Sequence, residues 1–393
     1  TRASQVGSIR ARRIRPRSSV ANHRESKHKR AVCDARGPEG SERDARGPAE
    51  RPEEVTNADR RTAENGMDRR QQNPLVCHGH SRPIVEINYS PETPDGYFLI
   101  SASKDGQPML RNGTTGDWIG TFEGHKGAVW SACLNSTATL AATGSADFTA
   151  GVWDAITGDQ MHEFEHKHIV RTVDFSRNGN MLLTGGYEKC VRLYDITAPE
   201  VEPNVIEGFA TPVHCALFVN NDTTVLAANN DAAGVGVFDL RTLTRVRTLP
   251  TDLPVMDMEL SHDGKFLTTC DGNVVRFWDA CTLTLVKSVT CDTEVESASL
   301  CLERGKFVVG GVDMWVHLYD YNTGKEIECN KGHHGPVHTV RFAPTGDLFS
   351  SGSEDGTIRI WETDPSAPVP ASDQEGVEGS QSVDTKGLAI AAN

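Results

Sequence analysis

From about Gly79 to Glu362 the chain returns to one pattern about every 40 to 45 residues, and that period restricts the fold more than any other feature. Seven times an apolar strand leads through a Gly- or Asp-bearing turn into a β-branched strand that ends on an aromatic and an acid. The clearest endings are Trp153-Asp154, Tyr194-Asp195, Phe238-Asp239, Trp278-Asp279, Tyr319-Asp320 and Trp361-Glu362, with Leu110-Arg111 in that slot in the first copy. One such unit cannot bury both faces of its own sheet. The seven must therefore lean on one another around an axis.

A period of this length, opening near Gly-His and closing on Trp-Asp, predicts an all-β fold, a seven-bladed WD40 β-propeller with disordered N- and C-terminal tails. Copy two reads as four strands: Ala128–Leu134, Leu140–Gly144, Ala150–Trp153 and a last one around Gln160–Phe164. Copy seven offers Val337–Phe342, Leu348–Ser351 and Thr357–Trp361, but no apolar fourth strand follows. Pro74–Cys77 is expected to supply it, closing the ring and removing two open edges.

The predicted boundaries are a disordered basic arm over 1–67, the propeller over 68–363 and a disordered tail over 364–393. Residues 1–66 are rich in Arg, Pro, Gly, Ser and Glu and almost free of aromatics, too apolar-poor to fold alone. An RNA-binding arm or a transit peptide would suit the basic residues, but the acids from Glu25 onward weaken both. Met67 is expected to be the true start, with the preceding residues an upstream translation artefact. Residues 1–66 hold 16 Lys and Arg against 10 Asp and Glu, which leaves 24 against 44 for 67–393. So acidic a body disfavours direct nucleic-acid binding and favours basic partners.

Ten scattered cysteines without a C-x-x-C pair point to a reducing cytoplasmic setting, and also a nuclear one. No apolar run is long enough to span a membrane. There is no G-x-x-x-x-G-K-[ST] loop and no cofactor is expected.

Two copies carry a full polar set: His125, Thr143, Asp147 and Trp153, then His333, Ser351, Asp355 and Trp361. A Ser, His and Asp together suggest a hydrolase triad, yet a triad needs an exposed nucleophile and would not recur from copy to copy. The set is expected to be a buried hydrogen-bonded chain that fixes blade shape, with no catalytic residue. Copies four to six present Phe209, Thr251 and Cys291 at the histidine position and are expected to rely on apolar packing. The loop histidines lack Cys or carboxylate partners at ligand spacing, so no metal ligand is predicted.

The residue after the first valine of each innermost strand should border the central channel: Glu86, Trp130, Arg171, His214, Met256, Glu296 and His338. Arg82, Lys104, Lys126, Lys167 and His168 would form a small basic rim beside them. Trp, Arg and Met concentrated there make a candidate partner face.

Several stretches are more particular than the generic repeat: Tyr97–Gly106, Pro108–Arg111, Gly116–Phe122, Gly124–Trp130, Ala146–Ala150, Val152–Ala155 and His166–Phe175. Together they resemble the serine-threonine kinase receptor-associated protein (unrip) family over roughly 68–362, and Leu110-Arg111 is part of that resemblance. The resemblance implies a non-enzymatic scaffold of the SMN complex, which loads Sm proteins onto small nuclear RNAs. Its implied partners are small Gemin or Sm-associated subunits and an Unr-like RNA-binding protein, with a further role in receptor signalling. The rival readings are the i subunit of translation initiation factor three and a propeller enzyme. The enzyme would draw on Glu86, His214, Glu296 and His338, a group too sparse to favour chemistry.

Overall fold

The computed structural model describes residues 72–229 and 232–365. The expected arm over 1–67 lies outside the described residues, as does the tail over 364–393 except for Asp364 and Pro365.

The described residues form seven four-stranded antiparallel sheets and no helix. Blade 1 runs from Ile84 to Thr121, blade 2 from Val129 to Glu165 and blade 3 from Val170 to Ile206. Blades 4, 5 and 6 span Val213–Leu249, Asp257–Thr290 and Val295–Lys331, and blade 7 begins at Val337. Strand character follows burial. The second strand of a blade is largely covered on both faces and is mostly apolar or small, as in Leu140–Ser145. The fourth strand borders solvent, and in Gln160–Glu165 only Phe164 is buried.

Blade 7 borrows its outer strand from the other end of the array. Leu75–Cys77 pairs antiparallel with Ile358–Glu362, setting Leu75 opposite Ile360 and Cys77 opposite Ile358. Gln72 extends the seam, its amide donating to the Glu362 carbonyl at 2.9 Å and its side-chain oxygen accepting from the Glu362 N–H at 3.1 Å. Gly116, at φ +71°, lies against this strand so closely that a Cβ would come 2.5 Å from Cys77 Sγ.

The innermost strands neighbour one another in sequence around the ring, and the last, Val337–Phe342, lies beside the first, Ile84–Tyr89. Among the described residues there are seven apolar clusters, one at each joint between blades. The cluster between blades 7 and 1 joins Cys77, Ile358 and Ile360 to Ile84, Ile87 and Leu99. Short side chains of the innermost strands add polar staples. Ser131, Thr172, Ser297 and Thr339 each accept a backbone N–H of the following blade, from Val173, Ala216, Val340 and Ile87. Each staple satisfies a buried amide that its own ladder leaves unpaired.

Candidate docking face at the channel mouth

The polar chains form inside the blades. His125 bonds Asp147 through Nδ1 at 3.0 Å and Thr143 through Nε2 at 2.6 Å, and the Trp153 indole donates to Thr143 Oγ1 at 2.8 Å. His333, Asp355, Ser351 and Trp361 repeat this at 3.0, 2.8 and 2.9 Å. Burial alone would raise the Asp147 and Asp355 carboxyls. The hydrogen bonds they accept from His125 and His333 outweigh it and hold both well below the usual carboxylate range. These groups are interior, with no exposed nucleophile among them. Replacing Asp147 by Ala strips the partner from His125, Thr149 and the Lys126 N–H. It should cost about 1–3 kcal/mol in urea unfolding, while Asp159→Ala at an exposed turn should be close to neutral.

Blade 1 carries a chain that the sequence reading passed over, because no aromatic marks it. His80 bonds Asp105 at 2.9 Å and Ser101 at 2.7 Å. The register also shifts the expected Leu110-Arg111 slot by one residue. Arg111 pairs with Leu99 as Trp153 pairs with Ala141, so Arg111 and Asn112 stand for Trp and Asp. Asn112 Oδ1 accepts the N–H of Thr114 and Thr115, as Asp154 does for Ile156 and Thr157. Arg111 is buried and donates to the carbonyls of Gly116 and His78.

The expectation of apolar packing in copies four to six holds for blade 4, where Phe209 meets Phe238 at 5.1 Å. It fails for the next two, whose missing histidine is replaced by another polar pair. Arg276 binds Asp271 and Asp252 in blade 5, and His317 bonds Asp313 at 2.7 Å in blade 6.

The innermost strands explain how the candidate face is built. In six of the seven a register shift follows the first residue, so the second is an extra, bulged residue. Those residues are Val85, Trp130, Arg171, His214, Glu296 and His338, and Met256 stands at the same level before Asp257. A bulge turns a side chain out of the pleat, here into the channel mouth. Together they border a cavity of about 260 Å³ that also takes in Glu86, Lys104, Asp257 and Arg341. In blade 1 the bulged residue is Val85, one before the expected Glu86, since Ile84 is the first apolar position there. Arg82, Lys126 and Lys167 are exposed in the approaching loops and do not border this cavity. His168 is also exposed, stacked on Tyr187 at 5.3 Å with Phe148 5.4 Å away.

Trp130 is half-buried, with the Arg171 guanidinium 4.5 Å from its ring centre and the Lys104 ammonium 5.8 Å away. Two cations from neighbouring blades thus grip one indole and hold its orientation. Across the mouth, His338 bonds Glu296 at 2.5 Å and Glu354 at 2.7 Å. Burial would lower this imidazole, but the two carboxylates outweigh it and its pKa is raised. A raised folded value favours the imidazolium. The His338 contribution to stability is therefore full below about pH 6.5 and fades as pH rises through the folded midpoint. The measurement is an NMR titration of the His338 ring, with a midpoint above the ordinary histidine value expected.

Deeper in the channel, Arg341 of blade 7 reaches past blade 6 to Asp257 of blade 5, with bonds of 2.6 and 2.9 Å. Ser297 of blade 6 donates to Asp257 at 2.5 Å, and Arg341 Nε donates to Asn88 of blade 1 at 3.2 Å. Sequence reasoning missed this group. Its signal was charge inside an apolar strand, at Asp257, Glu259 and Arg341, which demands a partner from another blade.

These features define a seven-bladed WD-repeat propeller. Residues 116–154, 158–195, 243–279 and 324–362 match the WD domain, G-beta repeat family model. The chain is 50% identical over 293 residues to the serine-threonine kinase receptor-associated proteins of Homo sapiens and Gallus gallus, covering 75% of this chain and 83% of theirs. The protein of that name from Dictyostelium discoideum is 48% identical over 289 residues, 74% of this chain and 98% of its own. Eukaryotic translation initiation factor 3 subunit I of Drosophila melanogaster is 30% identical over 315 residues, 73% and 95% of the two chains. The chain belongs to the serine-threonine kinase receptor-associated protein family.

Proposed function

We propose that this chain is a non-enzymatic scaffold that docks protein partners on its channel mouth during SMN-type small nuclear ribonucleoprotein assembly. The observation that carries the docking face is Trp130, held between Arg171 and Lys104 beside an exposed Met256 at an open cavity. Oriented aromatic, arginine and methionine side chains are what protein hot spots are made of. The partners in this reading are Gemin-type or Sm-associated subunits and an Unr-like RNA-binding protein, met in the cytoplasm and also the nucleus. A link to receptor signalling rests on the name its relatives carry, that of a serine-threonine kinase receptor-associated protein.

Chemistry at the same mouth has little support. Burial raises the Cys215 thiol and disfavours the thiolate that a nucleophile needs. Both nitrogens of His338 are bound to carboxylates. The test is affinity capture on the tagged full chain from a cell extract, with mass spectrometry of what remains bound. Sm and Gemin-type subunits are the expected catch. Small ribosomal subunit proteins instead would move the chain to the initiation-factor reading.

A further inference from the structure

On the outer half of blade 6, away from the channel, three side chains of different chemistry converge. His317 and Cys329 are partners across the strands Trp315–Asp320 and Glu326–Lys331, and Glu326 opens the second of these. One ligand atom from each lies within 4.8 Å of the other two. His317 is only 7% exposed, and its Nε2 is bound to Asp313 Oδ2 at 2.7 Å. Its Nδ1 is buried and makes no hydrogen bond, with Glu326 Oε1 3.5 Å away.

The other blades show why that nitrogen is unusual. The position of His317 is held by Arg192 in blade 3 and Arg276 in blade 5, by register against the neighbouring strand. Each arginine binds the acid of its own blade, Glu188 or Asp271. A histidine satisfies the equivalent acid, Asp313, with one nitrogen and has a second left over. A carboxylate that takes the Nε2–H fixes the tautomer and leaves the Nδ1 lone pair directed at Glu326 and Cys329. That is the arrangement by which proteins orient metal-binding imidazoles.

We propose that His317 Nδ1, Cys329 Sγ and the Glu326 carboxylate bind a zinc-type divalent cation, with water as the fourth ligand. A mixed nitrogen, sulfur and oxygen set suits zinc and not the hard ions magnesium or calcium. Tetrahedral zinc with bonds of 2.0–2.3 Å sets its ligand atoms about 3.3–3.8 Å apart. The His317–Glu326 separation of 3.5 Å already meets this, and the Cys329 ligand atom, within 4.8 Å of both, has at most about 1 Å to close. Binding takes the thiol as thiolate and releases its proton to solvent. Glu326 is exposed, which gives the ion and its water a way in. In sequence the three ligands are separated by a hairpin, which is why ligand spacing did not reveal them. The inference stands whether or not the channel mouth docks partners.

The test is titration of the chelator-stripped full chain with Co2+, followed by its thiolate charge-transfer and tetrahedral d–d absorption. One equivalent of bound Co2+, displaced by Zn2+, is expected. Cys329→Ser should lose the thiolate band, and Asp313→Asn should bind about 10- to 100-fold more weakly. Cys281→Ser, at an exposed thiol elsewhere, should titrate like the wild type. The proposal is overturned if the wild type shows no equimolar band, or if Cys329→Ser titrates unchanged, which would assign binding to adventitious thiols. Should Cys329→Ser fail to fold, Glu326→Gln decides: weaker binding supports the site, and unchanged affinity removes it. Unchanged affinity in both Glu326→Gln and Asp313→Asn would leave His317 with only the arginine's structural pairing.

Discussion

Arg341→Ala is expected to lower the unfolding free energy by about 3–5 kcal/mol, the usual cost of leaving one partner of a buried ion pair alone. Arg341 is 4% exposed, and Asp257 faces it from two blades away with Ser297 between them. Burial would raise the Asp257 carboxyl and lower the guanidinium. Their mutual attraction outweighs it, so Asp257 is lowered and Arg341 raised. Glu259, 3.8 Å from Arg341 Nε, adds to the attraction on the guanidinium. The double change Asp257→Asn with Arg341→Met removes both charges at similar volume and should restore much of the loss. Urea unfolding of the wild type, Asp257→Asn, Arg341→Met and the double variant measures the coupling. An Arg341→Ala cost below about 1 kcal/mol would mean that the pair is solvated and does not join blades 5 and 7.

The second large effect concerns the seam. Deleting residues up to and including Cys77 removes the outer strand of blade 7 and the buried Cys77 side chain, and leaves His78, whose carbonyl accepts from Arg111, at the new terminus. Three ladder positions and their apolar area amount to about 4–6 kcal/mol. In a propeller of this size that lowers Tm by about 7–10 °C. The strand Ile358–Glu362 would become an open edge, so concentration-dependent aggregation should accompany the loss. A deletion ending at Gln71 isolates the contribution of the strand itself, since Leu75–Cys77 then remains. If both deletions melt alike, the seam contributes nothing to closure.

Much of this architecture was legible because the repeat period and the alternation inside each copy are local signals. The closing strand could be read from a vacancy: no apolar segment follows Trp361, while one precedes the first Gly-His. The channel residues were found because a bulge falls at the same place in six of the seven innermost strands, right after the first apolar residue. In blade 1 an extra apolar residue, Val85, moved the expected position by one. Blade 1 also hid its polar chain, since the buried Arg111 stands where an indole would announce His80, Ser101 and Asp105. The Arg341–Asp257 pair was invisible for a different reason. It joins residues 84 positions apart through the ring, and no spacing rule within one repeat can anticipate it.

The channel mouth, in this proposal, is the surface that partners touch. The most direct measurement compares partner capture by the full chain with that of the double variant Trp130→Ala, Arg171→Ala, after thermal melts establish that the variant still folds. Bound partner should fall at least about tenfold, since hot-spot side chains each contribute upward of 1 kcal/mol. Equal capture by the folded variant and the wild type would contradict it.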